Sequence, residues 1–116
     1  MKLVYPAIFY QHDGEDGYTV VVPDLQGCVT EGKTLADAIS MGIDAASGWV
    51  LDELEDNKPV PKASKSETIK PDKGGFVSLL VLDMDLYIEK REMLNEYNIS
   101  EKLEIQTVVF IEIEKI

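Results

Sequence analysis

One segment with helical periodicity constrains the fold more than any other feature of this sequence. Between residues 35 and 54, apolar or small side chains recur every three or four positions, the spacing of one face of an α-helix. That face carries Leu35, Ala38, Ile39, Gly42, Ala45, Ala46, Trp49 and Leu54. Thr34 stands at the expected N-cap, and Asp37 follows at the spacing of a variant capping box. About 20 residues at 1.5 Å each make a helix roughly 30 Å long, enough to cover a small sheet.

Strand-like runs precede and follow this helix. Residues 2–11 are rich in aromatic and β-branched types, and two Asp-Gly steps then predict a hairpin into residues 19–22. Residues 28–32 predict a third strand after a turn. Pro6 lacks an amide donor, so we expect its end of the first strand at a sheet edge or bulge. Residues 76–83 form an almost uninterrupted apolar run, typical of a strand buried on both faces, which predicts the central strand.

The order strand, strand, strand, helix, strand predicts an α+β domain in which one long helix covers one face of the sheet. We expect this domain to span residues 1–85, with residues 57–75 as a surface connection containing prolines and lysines. Residues 86–116 predict an extension made of a short helix and a strand over 104–113.

That C-terminal strand requires a partner, because an unpaired apolar strand promotes aggregation. It either completes the core or pairs between subunits, and the sequence leaves both possibilities open. We expect the extension to serve oligomerisation, and deletion of residues 104–116 should expose apolar surface. The candidate contacts are Val108, Phe110 and Ile111.

The charge composition favours a basic protein partner. Lysine and arginine number 11 against 22 aspartate and glutamate residues, so the net charge is −11. Broad nucleic-acid binding is disfavoured, because phosphate contacts require clustered cations. An acidic surface instead accelerates encounter with a basic partner.

The sequence also predicts where the protein resides. No apolar segment approaches the 18 or so residues of a membrane span, and the N-terminal residues lack the architecture of a signal peptide. The single cysteine, Cys28, excludes an intramolecular disulfide, which is typical of a reducing compartment. We therefore expect a cytoplasmic protein.

The residues predict no enzyme, cofactor or metal site. The only histidine, His12, precedes Asp13 in the predicted hairpin, and Cys28 has no other imidazole to serve as its base. Asp83 and Asp85 could bind Mg²⁺ from one face of a strand. A nuclease site requires further convergent acids, yet the first strand contains none. We expect these two aspartates to end a strand and begin a helix.

Several elements, taken in order, resemble the HicB-type antitoxins. They are Pro23-Asp24-Leu25, Gly27-Cys28, Thr30 and Gly32, then an Ala-rich helix with an acidic end, Pro59 and Pro61, and an apolar strand closing at Val81-Leu82-Asp83-Met84-Asp85. The resemblance covers about residues 1–85 and implies a partial RNase H-like fold. It further implies a bacterial or archaeal antitoxin that binds and neutralises a small basic HicA-type toxin, an mRNA-cleaving RNase.

The C-terminal region departs from that family. Many members carry a ribbon-helix-helix or helix-turn-helix, each of which requires two helices, whereas residues 86–116 predict one helix and one strand. Residues 86–116 contain four basic residues and seven glutamates, and this excess of negative charge disfavours intrinsic DNA binding.

The acids expected to meet the toxin lie near the first strands and at the end of the helix. Acids near a helix C-terminus oppose the macrodipole, and that cost invites a functional explanation. The alternative is that the acidic helix end is only a solvated surface, and the sequence leaves both possibilities open. Asp24 is more simply read as the residue that initiates the turn after Pro23. The alternative function is an acidic homo-oligomeric module, a dimer or larger, without a toxin partner. The candidate toxin contacts are Asp24, Glu31, Asp52, Glu53, Glu55 and Asp56.

Overall fold

The computed structural model describes residues 1–72 and 74–98. The chain divides into two compact units, Met1–Asp83 and a second that begins at Met84. The predicted strand over 104–113, with Val108, Phe110 and Ile111, lies outside the described residues.

The first unit contains the predicted series of three strands, a helix and a strand. These elements are β1 (Lys2–Gln11), β2 (Tyr18–Val21), β3 (Val29–Gly32), α1 (Leu35–Glu55) and β4 (Phe76–Asp83). The strands form one antiparallel sheet in the order β3-β2-β1-β4. The predicted α+β arrangement, with one long helix covering the sheet, is confirmed.

The position of β4 differs from the prediction. β4 is an outer strand of the described sheet, and β1 lies in the interior, between β2 and β4. Leu80 and Leu82 are buried, whereas Leu79 and Val81 are 53% and 52% exposed. Successive side chains of a strand point to opposite faces, and α1 covers only one of them. Apolar content therefore did not imply burial on both faces.

The proline in β1 lies beyond the pairing with β2. That pairing begins at Ile8, opposite Val21, whereas Pro6 pairs with Leu79 on the β4 side. A proline nitrogen carries no proton for a ladder hydrogen bond, so a position that β2 does not reach suits it.

The start of α1 is the predicted one, and the backbone N–H of Asp37 donates to Thr34 Oγ1 over 3.1 Å. The buried helix positions are Ala38, Gly42, Ala46, Ser47 and Val50. Two residues of the predicted stripe, Leu35 and Ile39, are 39% and 36% exposed. A Cβ on Gly42 would lie 3.2 Å from both Leu80 and Val20. Small helix residues thus bring α1 close to the sheet, whose larger side chains fill the core.

The second unit begins with helix α2 (Met84–Asn98), close to the predicted helix. The Arg91 guanidinium lies 5.6 Å from the centre of the Tyr87 ring and donates to the Tyr87 hydroxyl over 3.0 Å. Asp83 ends β4 and Asp85 lies in the first turn of α2, as expected. None of the described helices is long and apolar enough to cross a membrane.

Candidate partner-binding surface

Helix α1 carries acidic side chains along its whole outer side. Its 21 residues include five acids and no base. Four of the acids, Asp37, Asp44, Asp52 and Glu55, are exposed. Their spacings of seven, eight and three place them on the side of the helix away from the sheet. They extend over roughly 27 Å at 1.5 Å per residue, and we term them the acidic face of α1.

An apolar side chain lies within this acidic face. Met41 stands one turn after Asp37 and is 45% exposed. Exposed methionine surrounded by charge is typical of a protein-binding surface, because the flexible thioether adapts to a partner's shape. The acidic face of α1 therefore combines negative charge with an apolar side chain that a partner can cover.

The C-terminal end of α1 is closed by backbone hydrogen bonds. Asn57 adopts a positive φ of 56°. The N–H of Lys58 donates to the Glu53 carbonyl over 2.9 Å, and the N–H of Asn57 donates to the Leu54 carbonyl over 3.1 Å. These are the two bonds of a Schellman motif. The carbonyls at this end thus have partners without any basic side chain in the last turn.

Four predicted contact residues are grouped at this helix end. Asp52, Glu55 and Asp56 are exposed, and Glu53 is half-buried. Near a helix C-terminus each exposed acid costs about 0.3–1 kcal/mol. Lys58 Nζ lies 4.0 Å from Asp56 Oδ2, with both side chains about 60% exposed. Such a pair compensates little, so this end stays strongly negative.

Glu31 lies near the opposite end of α1. It pairs with Thr19 on β2, and its carboxylate lies 4.0 Å from His12 Nε2. Glu31 and Asp37 line one open depression of about 300 Å³ beside Met41. The predicted contacts therefore do not form a single cluster, because a helix length separates Glu31 from the acidic end.

Asp24 has a structural role that the local sequence did not reveal. Its Oδ2 accepts the backbone N–H of Ser64 over 2.9 Å, and its Oδ1 accepts the Ser64 hydroxyl over 2.6 Å. Nearby, the Tyr5 hydroxyl donates to the Pro61 carbonyl. Burial raises the pKa of Tyr5, and the Asp24 carboxylate raises it further. Asp24 thus anchors the connection that follows α1.

Two acids that the sequence analysis did not assign to a partner surface lie along α1 between Glu31 and the acidic C-terminal end of the helix. Asp37 was considered only as a capping residue and Asp44 was not considered, yet both belong to the acidic face of α1. Their spacing of seven from each other, and of eleven from Asp44 to Glu55, was a detectable helical signal.

The two side chains that the sequence analysis considered as reactive groups are the imidazole of His12, which is hydrogen-bonded, and the thiol of Cys28, which is buried. His12 Nε2 lies 2.9 Å from Thr19 Oγ1 within the first hairpin. Burial raises the pKa of the Cys28 thiol, which disfavours the nucleophilic thiolate at neutral pH. Among residues 1–72 and 74–98, no three histidine, cysteine or acidic side chains are grouped as metal ligands.

Comparison with known proteins gives consistent matches. A family model described as a HicB-like antitoxin of a bacterial toxin-antitoxin system matches residues 5–111. An uncharacterised 14.9 kDa protein from the rep-hol intergenic region of Haemophilus phage HP1 is 36% identical over 84 residues. That alignment covers 69% of this chain and 62% of the phage protein, less than two thirds of its length.

Two solved structures share the fold. A toxin-antitoxin complex from Streptococcus pneumoniae contains a chain with a TM-score of 0.67 and 25% identity, covering 75% of this chain and 73% of that chain. The N-terminal domain of the Burkholderia pseudomallei antitoxin HicB has a TM-score of 0.59 and 28% identity, covering 70% of this chain and 99% of that domain.

Proposed function

This chain belongs to the HicB-like antitoxins of bacterial toxin-antitoxin systems, and we propose that it binds and neutralises a small basic HicA-type RNase toxin. The similarity to a chain of a solved toxin-antitoxin complex supports a role in such a pair. We expect the pair to act in the cytoplasm, where a toxin of this type meets mRNA, and we expect no catalytic activity from this chain.

The acidic face of α1 is the observation that carries this proposal. Five acids without a base on one helix create a negative surface that a basic protein can recognise. Complementary charges accelerate the encounter between two proteins, and salt weakens the effect because the screening length is about 8 Å at physiological ionic strength. Exposed Met41 then supplies apolar area that the partner can cover.

Neutralisation follows from competition for the same cations. Lysine and arginine side chains that bind RNA phosphates also bind carboxylates, with charge-assisted hydrogen bonds in both cases. A toxin whose basic surface is occupied by the acidic face of α1 cannot hold RNA. The antitoxin needs no reactive group for this effect.

The first experiment is coexpression with the HicA-type toxin that is proposed as the partner of this chain. We expect growth rescue and a complex that elutes together on a sizing column. Absence of both rescue and complex would contradict the antitoxin proposal and favour a homo-oligomeric module of the same fold.

Charge reversal then tests the surface. In the variant Asp44→Lys/Glu55→Lys, we expect association with the toxin to slow at least tenfold at low salt, with a smaller difference at high salt. The matched control is Glu67→Lys/Asp72→Lys, which changes the net charge equally on exposed residues of the connection. Equal rates for the two variants would show that the acidic face of α1 is not the toxin surface.

A further inference from the structure

Three hydroxyl side chains among the described residues of the connection form hydrogen bonds, and one of them reaches a distant part of the chain. The hydroxyls of Ser66 and Thr68 bond to neighbours no more than three positions away. Ser64 instead donates to Asp24, 40 positions away, from its hydroxyl and from its backbone N–H. Ser64 is therefore the hydroxyl residue that fastens the connection to the turn between β2 and β3.

Ser64 lies in an accessible and locally basic stretch of this acidic chain. Ser64, Lys62 and Lys65 are exposed, and residues 58–65 form no helix or strand. The backbone of Lys65 is extended, with φ −73° and ψ 132°. Protein kinases select their substrates partly by charge patterns around the acceptor hydroxyl. An exposed hydroxyl on an extended segment between two lysines fits a serine kinase whose substrate groove is acidic.

We propose that Ser64 is a phosphorylation site and that a phosphate there releases the connection from the turn between β2 and β3. An ATP-dependent serine kinase supplies the phosphoryl group. Ser64 Oγ forms a bond to the γ-phosphorus of ATP while the bond from that phosphorus to ADP breaks, and the hydroxyl proton passes to the catalytic aspartate of the kinase. This inference rests on the contact between Ser64 and Asp24 and does not depend on the toxin proposal.

A phosphate on Ser64 removes one hydrogen bond to Asp24 and weakens the other. Ser64 Oγ lies 2.6 Å from Asp24 Oδ1, and it has no proton to donate once it is esterified. Phosphoserine carries a charge of about −1.5 to −2 at pH 7, and an anion placed beside a carboxylate is repelled by it. The bond from the Ser64 N–H to Asp24 Oδ2 requires the same carboxylate to stay close, so repulsion weakens that bond as well.

The two neighbouring lysines favour the released state. Lys62 and Lys65 form no ion pair with any described residue, and both belong to the connection itself. Lysine ammonium groups form charge-assisted hydrogen bonds with phosphate oxygens. The phosphate therefore has partners that move with the connection, whereas the carboxylate of Asp24 stays on the turn.

Amide hydrogen exchange of the full chain carrying Ser64→phosphoserine tests the release. We expect the Ser64 N–H to exchange about tenfold faster or more than in the unmodified chain, because hydrogen bonds to charged groups are strong enough for that ratio. An unstructured peptide of the same sequence corrects for the intrinsic effect of the phosphate on exchange. Ser66→phosphoserine is the matched control, since it adds the same charge to the connection at a residue that does not bond to Asp24.

The Asp24→Asn variant tests whether repulsion is the cause. Asparagine keeps an oxygen that can accept the Ser64 N–H and carries no charge. In this background, Ser64→phosphoserine should accelerate exchange no more than Ser66→phosphoserine does.

Mass spectrometry tests the site itself. In the chain isolated from the cells that produce it, during growth and in stationary phase, we expect phosphate on Ser64. With magnesium, ATP and a serine kinase that prefers basic substrates, Ser64→Ala should remove most of the phosphate incorporated by the purified full chain, whereas Ser66→Ala should not.

Three results would overturn the proposal. The first is a chain without phosphate on Ser64 in both growth states. The second is equal exchange at the Ser64 N–H with phosphate at position 64 and at position 66, which would show that the modification does not release the connection. The third is the same acceleration with aspartate and with asparagine at position 24, which would exclude charge repulsion as the cause. None of these measurements requires the toxin, so each remains informative if the antitoxin proposal fails.

Discussion

Asp24 and Ser64 are joined by two hydrogen bonds, although 40 positions separate them in the sequence. One carboxylate oxygen accepts the backbone N–H of Ser64, and the other accepts its hydroxyl. The turn between β2 and β3 is therefore tied to the connection that follows α1. The same turn is held from the helix side, where Trp49 Nε1 donates to the Gln26 carbonyl over 3.0 Å. Together these bonds hold α1 and the segment after it against the turn between β2 and β3.

A double-mutant cycle should measure this contact. We expect Asp24→Ala to lower the free energy of unfolding by about 1.5–3 kcal/mol, because hydrogen bonds to charged groups contribute in that range. Ser64→Ala should cost less, since it leaves the bond from its backbone N–H. The cycle in urea unfolding should give a coupling of about 0.5 kcal/mol or more. Additive effects of the two changes would show that the bond from the Ser64 hydroxyl to Asp24 contributes no stability.

Tyr5 should make the protein sensitive to alkali. Its pKa is raised in the folded protein above the usual value of about 10. The folded state therefore holds the phenolic proton more tightly than the unfolded state. The resulting stabilisation is complete below pH 10 or so and is lost as the pH rises through the folded-state pKa. Urea unfolding at pH 8 and at pH 10.5 or so should show a steeper loss for the wild type than for Tyr5→Phe. Equal losses would contradict this prediction.

Gly32 should not tolerate a side chain. A Cβ at this position would lie 2.3 Å from the backbone nitrogen of Ala38, so β3 and α1 would have to separate. We expect Gly32→Ala to cost about 3 kcal/mol, at the upper end for overpacking, because backbone cannot move aside as a side chain can. Gly14→Ala is the comparison, since its Cβ would meet no atom within 4 Å and only its φ of 70° is unfavourable. Thermal unfolding should rank Gly32→Ala as clearly the more destabilised variant.

Asn57 should prefer replacement by glycine over replacement by alanine. Its φ of 56° lies in the left-handed region, where residues with a Cβ other than asparagine or aspartate are strained by about 1–2 kcal/mol. We expect Asn57→Gly to keep or slightly raise stability and Asn57→Ala to lower it by about 1 kcal/mol. Chemical denaturation of the three proteins checks the order. A more stable alanine variant would mean that the Schellman motif does not form in solution.

Much of the fold was predictable because its signals are local. The Thr34 cap, the length of α1 and the Asp-Gly turn after β1 each depend on a few neighbouring residues. The resemblance to HicB-type antitoxins, which the family model confirms, depended on such elements occurring in order. The acidic end of α1 was likewise visible in the sequence, whereas its continuation through Asp37 and Asp44 required attention to the helical spacing.

The sequence by itself determined which segments become strands and helices and that the surface is acidic, because propensity, capping and charge are properties of short stretches of chain. Only the tertiary structure decided which strand lies outermost, since strand order depends on pairing between distant segments. It made β4 an outer strand of the described sheet instead of its centre, separated Glu31 from the acidic end of α1, and engaged Asp24 with Ser64. Each outcome depends on which side chains meet in space, and no local pattern encodes such distant contacts.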